Sequence, residues 1–188
     1  MNTKKTNLYL ALTAAAGLSL LAPTAKASDG TINFSGEVLT QTCAPATGSG
    51  SGFTVTLEPV TAVELTAAAG GAVKNKPFTI SLKGCTPDSG LVAILFDSPT
   101  NLDETTHQLK PDVATGNATG VEIRLLNDNA GDNTQIMVGA EQETQNSLPV
   151  EIDSAGNATL SYQAAYVQVG SPTAGPVTAQ AVYTIVYP

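Results

Sequence analysis

One histidine, two cysteines and no tryptophan leave this chain without the parts of most catalytic centres. A zinc site needs three or four imidazole, thiolate or carboxylate ligands, and a nucleophilic triad needs a histidine beside its serine or cysteine. His107 is the only imidazole, and it falls in a polar, proline-containing stretch that reads as solvated surface. Basic residues are scarce too: 8 against 16 acidic ones, for a net charge of −8. A chain this acidic is repelled by phosphate backbones and anionic lipid surfaces, which argues against nucleic acid and membrane partners. Helix-length periodic segments and internal repeats are also missing. The expectation is no enzyme, no cofactor and no metal. Asn127-Asp128-Asn129-Ala130-Gly131-Asp132-Asn133 has some acids of a calcium loop but lacks its bidentate Glu and its full spacing, and reads as a turn. Asn117-Ala118-Thr119 and Asn157-Ala158-Thr159 fit a glycosylation triplet that occurs often by chance.

What is present begins with a leader. Lys4 and Lys5 precede an apolar run over 8–22, and Ala25-Lys26-Ala27 sets small residues where a signal peptidase reads, so cleavage is expected after Ala27. The run is shorter than the roughly 20 apolar residues that cross a bilayer. No membrane insertion is expected after cleavage. Removing 1–27 takes away Lys4, Lys5 and Lys26 and no acid, so the remainder is more acidic still, and it is long enough for one domain with a real core. Two cysteines in an exported chain imply one disulfide, Cys43 to Cys85, formed in an oxidising compartment such as a bacterial periplasm.

The stretch that organises the chain is Gly30-Thr31-Ile32-Asn33-Phe34-Ser35-Gly36-Glu37-Val38, in which every second residue is apolar or Gly and every intervening one is polar. Such alternation is a strand with one face for burial. After Cys43 come a Gly/Ser/Pro loop over 44–52, a strand at 53–57 and an irregular 60–72 with room for one short helix. Strands follow at 76–85 and 91–96, the latter continuously apolar as a central sandwich strand can be. A polar excursion over 97–118 allows surface loops with short edge strands. Further strands are expected at 121–125, 135–138 and 158–167, with a polar connection at 142–148 and a turn at 153–157. The last loop, 170–176, leads into a closing strand over 177–188 with Ala181, Tyr183, Ile185 and Tyr187 on one face. Many short strands punctuated by Gly, Pro, Asn and Ser describe an all-β sandwich. About six are well marked after Cys43, against the seven of a complete immunoglobulin-like sandwich. The opening stretch could equally be the first strand of its own domain.

These residues resemble the pilins of chaperone and usher pathways, most of all the type 1 fimbrial major pilin. The resemblance is carried by the 30–38 stretch leading to Cys43, by Lys76-Pro77-Phe78-Thr79-Ile80-Ser81-Leu82-Lys83-Gly84-Cys85, by Gly120-Val121-Glu122-Ile123-Arg124-Leu125, by Tyr162-Gln163-Ala164-Ala165-Tyr166 and by the penultimate Tyr187. It implies an incomplete immunoglobulin-like sandwich lacking its last strand, with a signal peptide at 1–27, a donor-strand extension at 28–38 and a pilin domain at 39–188. The implied donor face is Gly30, Ile32, Phe34 and Gly36, with Val38 trailing, and the implied acceptor groove and chaperone contact is Tyr183, Ile185 and Tyr187. In such proteins a periplasmic chaperone's strand fills the groove first, and at an outer-membrane usher the extension of the next subunit replaces it. The function so implied is a structural subunit of an adhesive fimbria at the cell surface, with further copies and related subunits, chaperone and usher as partners. The alternative is a monomeric secreted β-sandwich binding module, such as a lectin-like adhesin or a minor tip subunit.

Overall fold

The computed structural model describes residues 41–46, 52–128 and 132–188. The leader at 1–27 and the candidate donor residues Gly30, Ile32, Phe34, Gly36 and Val38 lie outside the described residues. The described elements are β1 (Thr42–Pro45), α1 (Ala62–Ala67), β2 (Ala72–Thr86), β3 (Leu91–Asp97), β4 (Leu102–Asp103), β5 (Gln108–Leu109), β6 (Val121–Asn127), β7 (Val150–Glu151), β8 (Ala158–Gln168) and β9 (Val182–Val186).

The alternating segments form two sheets. One runs β1-β2-β8-β6-β5-β4, the other β7-β3-β9, and every pairing is antiparallel. Registers place apolar residues opposite one another: Ile80 faces Leu160, Ile123 faces Tyr166, and Ile94 faces Ile185. Because side chains alternate across a strand, these pairings put Phe78, Ile80 and Leu82 on the same face as Leu160, Tyr162 and Ala164. The core lies between the sheets. Ile80, Leu160 and Tyr162 of the larger sheet are fully buried with Val92 and Ile94 of the smaller one. Across the layer Phe96 meets Tyr162 edge to face, ring centroids 5.0 Å apart at 88°. That geometry suits the aromatic quadrupole and contributes about 0.5–1.5 kcal/mol beyond burial. Tyr162 is deep enough that desolvation pushes its hydroxyl up to about 12 despite a contact with Ser147 Oγ at 3.3 Å.

The short helix in the irregular 60–72 stretch is α1, and its sequence explains it. Thr61 Oγ1 accepts the Glu64 N–H at 3.1 Å while Glu64 Oε2 accepts the Thr61 N–H at 2.8 Å, a reciprocal cap. Leu65 buries into the core, Lys74 reaches Glu64 at 3.2 Å, and Gly70 at φ +84° turns the chain out.

Four expectations need correction. Residues 53–57 form no ladder, although Val55 and Leu57 are half-buried as the alternation requires. Residues 135–138 contribute only an isolated bridge, Leu126 to Gln135: Ile136 N–H still donates to the Leu125 carbonyl of β6 at 2.9 Å, but the next N–H groups turn away, Met137 to the Gln145 carbonyl and Val138 to the His107 carbonyl. The closing strand is confined to Val182–Val186, and 177–181 run outside any sheet. His107 is also half-buried, not fully solvated: it sits at φ +54° in the β4–β5 turn with Nδ1 2.9 Å from the Val138 carbonyl.

Candidate functional site

Two segments that failed to become strands face each other across a gap. On one side 53–57 make no backbone hydrogen bond among the described residues. On the other, the carbonyls of Pro176, Thr178 and Gln180 accept from Ala118 N (3.0 Å), Asp112 N (2.7 Å) and Ser98 Oγ (3.0 Å). Bonds at two-residue spacing along one flank are the habit of an extended chain, whose intervening peptide groups point the other way. The intervening Val177, Ala179 and Ala181 have no backbone partner among the described residues. β9 continues this rim: it pairs with β3 on one side and, among the described strands, stands last in its sheet on the other.

Between the rims lies a groove of about 580 Å³, floored by Phe78, Ile80, Phe96, Ile123, Leu125 and Tyr166 from both sheets. Its floor is apolar, while Thr54, Thr56, Thr178 and Gln180 lie along the rims. Phe53 packs over Phe78 at 6.0 Å, and burial raises the hydroxyls of Tyr166 and Tyr183 above the ordinary phenol value. The groove therefore offers an apolar floor and a bare strand edge together, which is what an extended segment with alternate apolar residues requires and what a soluble monomer cannot leave open without risk of aggregation. Among the described residues no group of three or more His, Cys, Asp or Glu could hold a metal.

Of the three C-terminal residues singled out in the sequence, Tyr183 lines this groove. Ile185 and Tyr187 share its face and are half-buried against the core, but they lie beyond the groove. Tyr187 instead reaches the disulfide: Cys43 N–H donates to its hydroxyl at 2.6 Å, and Cys43 is bonded to Cys85 with S–S 2.06 Å. The bond closes a separation of 42 residues, worth roughly 4 kcal/mol of denatured-state entropy by the chain model. The turn at 153–157 leans on the same point. Gly156 accepts the Cys85 N–H at 2.9 Å, and a Cβ there would stand 3.0 Å from the Cys85 carbonyl oxygen.

The sequence concealed the polar groups that hold the floor in place. Gln145, fully buried, accepts the Phe96 N–H at 2.6 Å and donates to the Phe96 carbonyl at 2.8 Å, so its amide acts as a peptide group where β7 stops. Asn127, also fully buried, donates to Thr134 Oγ1 (2.9 Å) and to the Asn146 carbonyl (2.7 Å) and accepts from Leu148 N (3.2 Å). Both occur in polar stretches, where nothing local distinguishes them from surface residues.

A two-sheet sandwich one strand short, with a groove bounded by two segments that have no backbone partner among the described residues, is the fold of a pilin. Residues 32–188 match the family described as Fimbrial protein, and the chain belongs to it. It is 41% identical to the F17 fimbrial protein of Escherichia coli, over 86% of this chain and 88% of that one. It is 35% identical to the Major fimbrial subunit SMF-1 of Stenotrophomonas maltophilia, over 87% and 95%. The fold is shared with the P pilus rod subunit PapA, TM-score 0.54 at 20% identity, covering 78% of this chain and 99% of that one. The chain is a structural subunit of a cell-surface fimbrium, assembled with other fimbrial subunits.

Proposed function

We propose that subunits join by strand exchange, with residues 28–38 of one copy entering the groove of the next. The observation that carries this is the gap itself: an apolar floor between the bare backbone of 53–57 and that of Val177, Ala179 and Ala181. A strand laid there satisfies backbone groups that otherwise depend on water. The chain contains a segment of the right pattern, with Gly30, Ile32, Phe34, Gly36 and Val38 on one face. Burying Ile32 and Phe34 contributes roughly 1.5–3 kcal/mol each, against about 1–2 kcal/mol per residue ordered, so the match of register decides the outcome. The glycines suit points where the floor leaves no room for a side chain.

On the same reading 1–27 is the leader, the pilin domain begins at 39, and the open groove is covered before assembly by a strand from a periplasmic chaperone and exchanged at an outer-membrane usher. Tyr183 sits in that groove, while Ile185 and Tyr187 brace the strand that borders it. The role is mechanical and involves no catalysis or cofactor. Fimbriae from wild-type cells should run unheated in detergent as a ladder of multiples and collapse to monomer on boiling, and Phe34→Asp should leave monomer alone, since a charge would have to be buried without a partner. A wild-type ladder from Phe34→Asp overturns the exchange.

A further inference from the structure

The rim over 177–181 borders the groove without belonging to a sheet, so contacts on its far side must hold it straight. Thr173 N donates to the Thr119 carbonyl at 3.1 Å, Ala118 N to Pro176, and Ser98 Oγ to Gln180. Asp112 does more than any of these. Its N–H donates to the Thr178 carbonyl at 2.7 Å, its Oδ2 accepts Thr178 Oγ1 at 3.0 Å, its Oδ1 accepts Asn101 Nδ2 at 2.5 Å, and its carbonyl accepts Asn117 Nδ2 at 2.7 Å. One exposed residue thus joins the rim, the turn before β4 and the 112–117 loop. The two loops touch backbone to backbone: a Cβ on Gly175 would stand 2.3 Å from the Gly116 carbonyl oxygen.

We propose that Asp112 is a positioning residue for strand capture, holding the rim in register before the incoming strand arrives. This rests on the strand-exchange reading. An arriving strand must find several peptide groups at two-residue spacing together, and a rim that frays presents that register only part of the time, so capture slows by the competent fraction. Once the strand is seated, its own ladder holds the rim from the groove side. The signature of Asp112 is therefore a slower assembly rate with little change in the finished fibre.

The test uses the full chain carrying Asp112→Ala, Asp112→Asn or Thr178→Val, with the rate of ladder growth and the temperature at which fibres collapse as paired readouts. Thr178→Val removes only the hydroxyl and keeps the backbone bond, so folding is not at issue. Asp112→Ala and Thr178→Val should slow growth by about tenfold, the loss of one or two hydrogen bonds. Combining them should slow it little further, because they remove one shared contact. Asp112→Asn, which retains an acceptor oxygen, should fall between. Collapse temperatures should match wild type. Growth at the wild-type rate in Asp112→Ala and Thr178→Val overturns the role, as does a collapse temperature that falls in step with the rate, which makes Asp112 merely structural. Phe34→Asp run alongside separates the two ideas: if it assembles normally the exchange reading has failed, and if it is blocked while Asp112→Ala grows normally only the role of Asp112 has.

Discussion

The hydroxyl of Tyr187 accepts the backbone N–H of Cys43 at 2.6 Å, across 144 residues of chain. It joins the end of the groove-bordering strand to the cysteine that anchors the start of the sandwich. Tyr187→Phe keeps the ring and removes the bond, which should lower stability by about 1 kcal/mol. A thermal midpoint a few degrees lower in the purified subunit is expected, and an unchanged midpoint would show the bond to be neutral.

The disulfide beneath that contact should matter more. Cys85→Ser frees a closure spanning 42 residues and is expected to lose roughly 4 kcal/mol. Against a typical total of about 5–15 kcal/mol, many molecules would fail to fold and fibres should become scarce. Soluble subunit and fibre yield, measured together, check this.

Gln145→Leu preserves bulk but strands the Phe96 N–H and carbonyl away from water. The expected loss is about 1–3 kcal/mol for each stranded group. Because Phe96 also floors the groove, capture should weaken beyond the loss of stability. Denaturant midpoint and fibre yield should both fall, while Gln142→Leu, on the exposed side of the same connection, should change neither.

Glu122 and Asp103 predict opposite pH slopes. Burial, reinforced by the nearby Asp103 charge, raises the Glu122 carboxyl above its ordinary 4.5, even though Thr106 Oγ1 donates to it at 2.9 Å. The folded chain then holds a proton that the unfolded chain releases, so stability falls as pH rises through the raised value. Asp103, accepting the N–H groups of Thr105 and Thr106 and facing Lys110, is lowered to about 2, and its contribution is present above 3.8 and lost as pH falls toward 2. Glu122→Gln should raise the thermal midpoint at pH 7 and not at pH 4. A shift of equal size at both values would show that ionisation of Glu122 is not the cause.

Alternation along the chain located β2 and β6, because a strand with one buried face writes its period into its own residues, and a continuous apolar run located β3. The cysteine pair was legible from count and compartment, and the turn at 153–157 from its Asp, Gly and Asn. Tertiary structure decided the rest. Residues 53–57 alternate as well as any strand yet form no ladder, since a ladder needs a neighbour at matching register and none is described beside them. Nor does the pattern over 177–188 show where pairing with β3 stops; that depends on Asp97 opposing Val182 and on the loop at 112–118 taking over the far side of the rim. Gln145 and Asn127 look like surface residues because their burial is imposed by peptide groups distant in sequence that lack a partner. Sequence alone determined which faces are apolar. Only the assembled sheets determined which backbone edges lack a partner among the described residues, since hydrogen bonding between strands is non-local, and those edges are where the proposed strand exchange would seat the neighbouring subunit.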